Sequence, residues 1–289
     1  MIPGKARGKM KLKHWIYQSE PSSNPQRGPR FSSQVLIQEH LSDICSRWSK
    51  YLQTYADHTG RLFKASELPW MGTEGAVVST LSASIARYFK NSAVIEESRV
   101  PKPGRQSVEG AEKATDAGRC DLWVSIPQLA GDFSAFSFYL EAKISQRDWD
   151  LRNLGEYLRG RYGINKLFRD YHKSNPKKLD QRSAYRKDRT HDHYIVGLLI
   201  TRLQGGIVEE AETKRILKEV FEGSLRLDMR GSTRDPEGPA RYRFMYRYPT
   251  VALIIGDEDE KRPCMVASFT VLGASKRLGT GKDRSAKEE

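Results

Sequence analysis

The chain has 289 residues, 38% hydrophobic and 29% charged, with a formal net charge of +13. That balance suits a soluble globular protein with a sizeable core, and no run of about 18 apolar residues exists to form a transmembrane helix. The excess of Lys and Arg, with a pI of about 9.6, points to a polyanionic partner, most simply nucleic acid.

Three cysteines, Cys45, Cys120 and Cys264, lie far apart and form no CxxC pair. An odd, scattered set is a poor disulfide framework, so a reducing compartment is expected. The basic N-terminus lacks the apolar centre of a signal peptide, and a cytoplasmic protein is expected. Residues 1–30 read as a basic flexible arm in which Trp15, Ile16 and Tyr17 can dock as a short strand.

Residues 32–57 carry apolar side chains at three- and four-residue spacing, including Ile37, Leu41, Ile44, Trp48 and Leu52, which predicts a helix. Residues 68–72 form a turn. A second helix over 74–89 starts after Thr73, a natural N-cap. Its Glu74 has two readings. A carboxylate in the first turn complements the helix dipole. The same carboxylate can also be a further metal ligand delivered ahead of the strands that follow.

A short strand over 93–97 and an aperiodic loop over 101–118 precede a strand over 119–126, which bears Asp121. A short connection then leads to a strand over 136–144, which pairs antiparallel with it. Phe136, Phe138, Leu140, Ala142 and Ile144 share one face of that strand; Ser137, Tyr139, Glu141 and Lys143 share the other. An acid and a base at the end of so apolar a strand are costly without partners or a role.

Residues 149–172 predict a helix with a kink or break near Gly160 to Gly163. The basic groups Arg147, Arg152, Arg159, Arg161, Lys173, Lys177, Lys178, Arg182, Arg186 and Lys187 follow Lys143 closely. They are candidate contacts to a nucleic-acid backbone. Residues 193–201 and 249–255 read as buried strands. A helix over 207–222 and strands over 241–248 and 265–272 complete the pattern. The tail over 273–289 is polar, basic and expected to be disordered. One domain is expected over residues 31–272.

Hydrolysing a phosphodiester requires an activated water and neutralised phosphate charge. Asp121 and Glu141 on adjacent strands can hold Mg²⁺, with Glu74 and the carbonyl of Ala142 as further oxygen donors, and Mn²⁺ can substitute. Lys143 can act on the water or on the phosphate. The acid-x-Lys pattern alone is weak: it occurs at Glu141–Lys143, Glu212–Lys214 and Asp259–Lys261. The second falls on a predicted amphipathic helix and the third in a polar loop. Only the first closes an apolar strand with a strand-borne acid upstream.

The helix opening with Glu74, the strand Gly118-Arg-Cys-Asp-Leu-Trp-Val124 and the strand Phe138-Tyr-Leu-Glu-Ala-Lys143 together resemble the PD-(D/E)XK nuclease superfamily. The resemblance covers about residues 73–201. It implies an α/β, restriction-endonuclease-like core: a central mixed β-sheet flanked by helices, here with an N-terminal helical and a C-terminal α+β extension. Asp121, Glu141 and Lys143 match its signature acid, second acid and lysine. Glu74 matches its helix-borne acid, and Cys120 stands where the motif name has proline. The expectation is a Mg²⁺-dependent DNA endonuclease of restriction, defence, repair or recombination, with RNA also open as substrate. Double-strand cutting favours a homodimer. The alternative is a non-catalytic nucleic-acid-binding protein on the same fold.

Overall fold

The computed structural model describes residues 10–20, 34–59, 68–101, 117–126, 136–159, 163, 192–204, 210–222, 225–226, 245–246, 250–257 and 264–274. The elements in chain order begin with strand β1 (Leu12–Gln18), helix α1 (Gln34–Thr59), a 3₁₀ turn (Pro69–Met71) and helix α2 (Glu74–Tyr88). Strands β2 (Ala93–Pro101), β3 (Ala117–Ile126) and β4 (Phe136–Trp149) come next, then helix α3 (Leu151–Arg159) and strand β5 (Asp192–Leu203). Helix α4 (Glu210–Phe221), the short strands β6 (Leu225–Arg226) and β7 (Met245–Tyr246), and strands β8 (Thr250–Asp257) and β9 (Cys264–Ala274) complete the elements of the described residues.

One seven-stranded sheet has the order β1-β8-β9-β5-β4-β3-β2. Its neighbours are antiparallel except β4 and β5, which run parallel. A parallel pair needs a crossover, and α3 lies in the connection between these two strands. Among the described residues from Glu74 to Leu203, the path is therefore helix, three antiparallel strands in a meander, helix, parallel strand. This is a mixed α/β architecture with helices on both faces of a central mixed sheet.

The two faces explain the strand compositions. On one face α1 and α2 pack through Ile37, Leu41, Trp48, Val77, Leu81 and Ile85 onto Phe138, Leu140, Val196, Leu198, Leu253 and Phe269. On the other, α3 and α4 supply Leu154, Leu158, Leu217, Val220 and Phe221, which meet Leu199, Leu203, Ile254 and Val266. Strand β8 is buried on both sides along its whole length, so it reads as a continuous apolar run. β4 is apolar only toward α1 and α2, so it alternates. Its other face is where the polar chemistry collects.

Polar contacts hold the N-terminal strand. Trp15, Ile16 and Tyr17, expected to dock as a short strand, do so within residues 12–18, which form the sheet edge on β8. The Gln53 side chain continues that edge, accepting from Leu12 N (2.8 Å) and donating to the Met10 carbonyl (3.0 Å). Buried Gln38 donates to the carbonyl and hydroxyl of Ser19. Trp48 Nε1 donates to Thr80 Oγ1, tying α1 to α2.

Helix ends follow the local chemistry. Thr73 caps α2 by accepting from Ala76 N, and Asp150 caps α3 by accepting from Asn153 N (2.9 Å). A Cβ at Gly163 would overlap the carbonyls of Tyr157 and Leu158. Only glycine allows the chain to fold back so closely on the end of α3. The expected helix over 149–172 is corrected at its start, because β4 runs on to Trp149. No described helix is long and apolar enough to cross a membrane. The expected strand over 241–248 is seen at Met245–Tyr246, paired with Leu225–Arg226. The tail from residue 275 lies outside the described residues.

Candidate active site

The site forms where β3 leaves β4. Their ladder runs from Ile126–Phe136 to Leu122–Leu140. Past that point the β4 amides on the β3 side need other acceptors, because an unpaired buried N–H is costly. Side-chain carboxylates supply them. Asp121 Oδ2 accepts from Ala142 N at 2.6 Å, and Glu74 Oε2 accepts from Ile144 N at 3.1 Å. Alternate amides of a strand share an edge, so two carboxylates, one from β3 and one from the first turn of α2, take the place of a neighbouring strand.

Between those amides the Lys143 ammonium is held by oxygens. Glu141 Oε1 lies 2.8 Å away and Glu74 Oε1 3.7 Å away. It also donates to the Ala142 carbonyl. The pairs are partly buried, with side-chain exposures of 20% for Lys143 and 31% for each glutamate. Burial works against the ammonium, but Glu141, Glu74 and Asp121 more than offset it, and the Lys143 pKa is raised. Burial pushes the Glu74 carboxyl up; Lys143 pulls it back, and the nearby Asp121 charge adds to the rise. The result is a cation ringed by three acids, one of them supplied by the helix and with its pKa raised.

Glu74, Asp121, Glu141, Ala142 and Lys143 are thus brought together from three elements. Among the described residues, no group of three or more His, Cys, Asp and Glu side chains stands in metal-holding geometry. The reason is visible in the contacts: the carboxylates face backbone amides and the ammonium. The donor chemistry is nevertheless that of a hard cation, since carboxylate and carbonyl oxygens suit Mg²⁺.

The candidate backbone contacts are not gathered in the same way. Arg147 lies on β4, and Arg152 and Arg159 on α3, with side chains outside the described part. Arg161, Lys173, Lys177, Lys178, Arg182, Arg186 and Lys187 lie outside the described residues. Sequence reasoning passed over Ser145 and Tyr157. Ser145 is buried two residues beyond Lys143. Tyr157 comes from α3, is 8% exposed, and shares a hydrogen bond with Ser145. The Leu154–Tyr157–Leu158 spacing marks an inward helix face, so Tyr157 was detectable as buried but not as a neighbour of the acids. Comparison with protein-family models, curated proteins and solved structures found no match.

Proposed function

We propose that the protein is a Mg²⁺-dependent nuclease that hydrolyses DNA phosphodiester bonds, built on a restriction-endonuclease-like core. The observation that carries this reading is the convergence of Glu74, Asp121 and Glu141 around Lys143 at the point where β3 and β4 part. The helix–three-strand–helix–strand path supports it, because that path matches the order expected of such a core.

Asp121, Glu141, Glu74 and the Ala142 carbonyl would hold the cation, whose chemistry when bound is to activate a water and offset phosphate charge. Turning toward it, Asp121 and Glu74 would weaken their hold on the amides of Ala142 and Ile144. Glu141 would at the same time loosen its hold on Lys143. The ammonium would then be free to donate to a non-bridging phosphate oxygen. Its raised pKa keeps it charged at neutral pH, which favours this donor role over that of a base. The net positive charge of the chain favours binding a polyanion and makes that binding salt-sensitive.

The test is cleavage of supercoiled plasmid, linear duplex, single-stranded DNA and RNA, each with Mg²⁺ or EDTA. Wild type is expected to cut DNA only with Mg²⁺, and Asp121→Ala and Lys143→Ala to lose at least about a hundredfold in rate. Cleavage untouched by both substitutions would sink the assignment. Binding without Mg²⁺-dependent cleavage would favour the non-catalytic nucleic-acid binder instead.

A further inference from the structure

Lys143 is fixed from both sides along β4. On one side the supports are the Asp121 and Glu74 carboxylates that take the amides of Ala142 and Ile144. On the other, the strand is irregular: its register against β5 shifts between Ile144 and Asp148. Extra residues there would leave the chain after Lys143 poorly determined. A side-chain clamp holds this bulge. Ser145 Oγ accepts from Trp149 Nε1 at 2.6 Å and shares a hydrogen bond with Tyr157 from α3. The rings of Trp149 and Tyr157 pack with centroids 4.7 Å apart. Ser145 and Tyr157 are both buried, so the clamp is shielded from water.

The two supports differ in chemistry. Asp121 and Glu74 are also the oxygen donors that a cation would take, so their grip on β4 would loosen on loading the site. The Ser145–Trp149–Tyr157 clamp contains no carboxylate and would stay in place.

We propose that Tyr157 is a positioning residue: through Ser145 and Trp149 it holds the bulge after Lys143, and so keeps the ammonium in place once the carboxylates turn to the cation. This inference rests on the nuclease reading. Burial raises the Tyr157 hydroxyl to about 12, so the hydrogen bond to Ser145 is that of a neutral phenol at working pH. Glu74 adds to that rise, which sets the hydroxyl within the field of the acid cluster. Gly163, packed on the Tyr157 carbonyl, helps to fix the end of α3 that carries the ring.

The experiment compares full-length wild type with Tyr157→Phe and Ser145→Ala. It measures plasmid-cleavage kinetics, Tm, and amide hydrogen exchange across residues 142–149 with and without Mg²⁺. Losing one hydrogen bond while keeping the ring, Tyr157→Phe is expected to lower kcat about tenfold with KM unchanged. Exchange across 142–149 is expected to quicken in Mg²⁺ and to match wild type without it. Ser145→Ala should reproduce both effects. A purely structural role would instead lower Tm and quicken exchange equally in both conditions, and that result overturns the proposal. A wild type that cuts, matched by a Tyr157→Phe that cuts and exchanges alike, overturns the positioning role alone. A wild type that neither cuts nor binds Mg²⁺ overturns the nuclease reading and the positioning role with it.

Discussion

The same acid-x-Lys spacing sits midway along β4 and on the exposed face of α4, and the two places behave differently. On β4, Glu141 and Lys143 project from one side of the strand and pair at 2.8 Å, because side chains two apart on a strand share a face. On α4, Glu212 and Lys214 are two apart on a helix and point away from each other. Lys214 instead pairs with Glu210, one turn back, and Glu212 with Arg215. The β4 pair is partly buried and meets two further carboxylates; the α4 pairs are exposed. A tripeptide pattern therefore acquires chemistry from the pitch of its element and from what lies beside it.

On the proposed nuclease reading, the largest expected difference is in cleavage. Glu141→Ala should reduce the Mg²⁺-dependent rate by about a hundredfold to a thousandfold, as losing a cation-holding carboxylate does, while Glu212→Ala leaves it unchanged. Plasmid nicking under single-turnover conditions reads both, and equal effects would erase the distinction between the regions.

Next comes stability. Lys143→Met leaves three acids facing one another without their cation, and Tm should fall by roughly 2–6 °C. Lys214→Met, on an exposed pair, should leave Tm unchanged within error. Calorimetry at pH 7 decides this, and a Lys143→Met protein as stable as wild type would mean that the ammonium contributes little to the cluster.

The smallest effect is in pH dependence. Glu74 has a raised pKa in the folded protein. Its contribution to stability is therefore present below the unfolded carboxyl value, about 4.3, and is lost as pH rises through the folded value. Glu74→Gln removes that loss, and the Gln Oε1 can still accept from Ile144 N. Denaturant unfolding from pH 4 to pH 7 should show the stability of Glu74→Gln relative to wild type rising with pH. Lys143 titrates in the opposite range. With its pKa raised, its contribution persists through neutrality and is lost only as strongly alkaline pH is reached. A flat difference over pH 4 to 7 would show that Glu74 is not held in an unfavourable environment.

Much of the scaffold was legible because periodicity is local. The alternation in residues 136–144 assigned Leu140 to the core and Glu141 to the opposite face, and the structure places them so. The three- and four-residue spacing of Ile37, Leu41, Ile44 and Trp48 marked α1, and Thr73 marked the start of α2. The continuous apolar runs marked β5 and β8 as central strands. Element ends were less legible. β4 continues past Ile144 to Trp149 through a bulge, and β2 runs to Pro101. In both cases pairing with another strand extends what local propensity leaves ambiguous.

By itself the sequence determined which side chains share a strand face and which residue types could perform phosphodiester chemistry, since both follow from the two-residue repeat of a strand and from the titratable groups on it. Tertiary structure alone decided where the β3–β4 ladder stops. That stopping point leaves the amides of Ala142 and Ile144 to be met by Asp121 and by Glu74, seventy residues away from Ile144 in the chain. It also decided that Tyr157 of α3 would stand against Ser145. The physical reason is that a backbone amide without a strand partner donates to whichever carboxylate the packing of distant elements brings to it, and no local pattern records that choice.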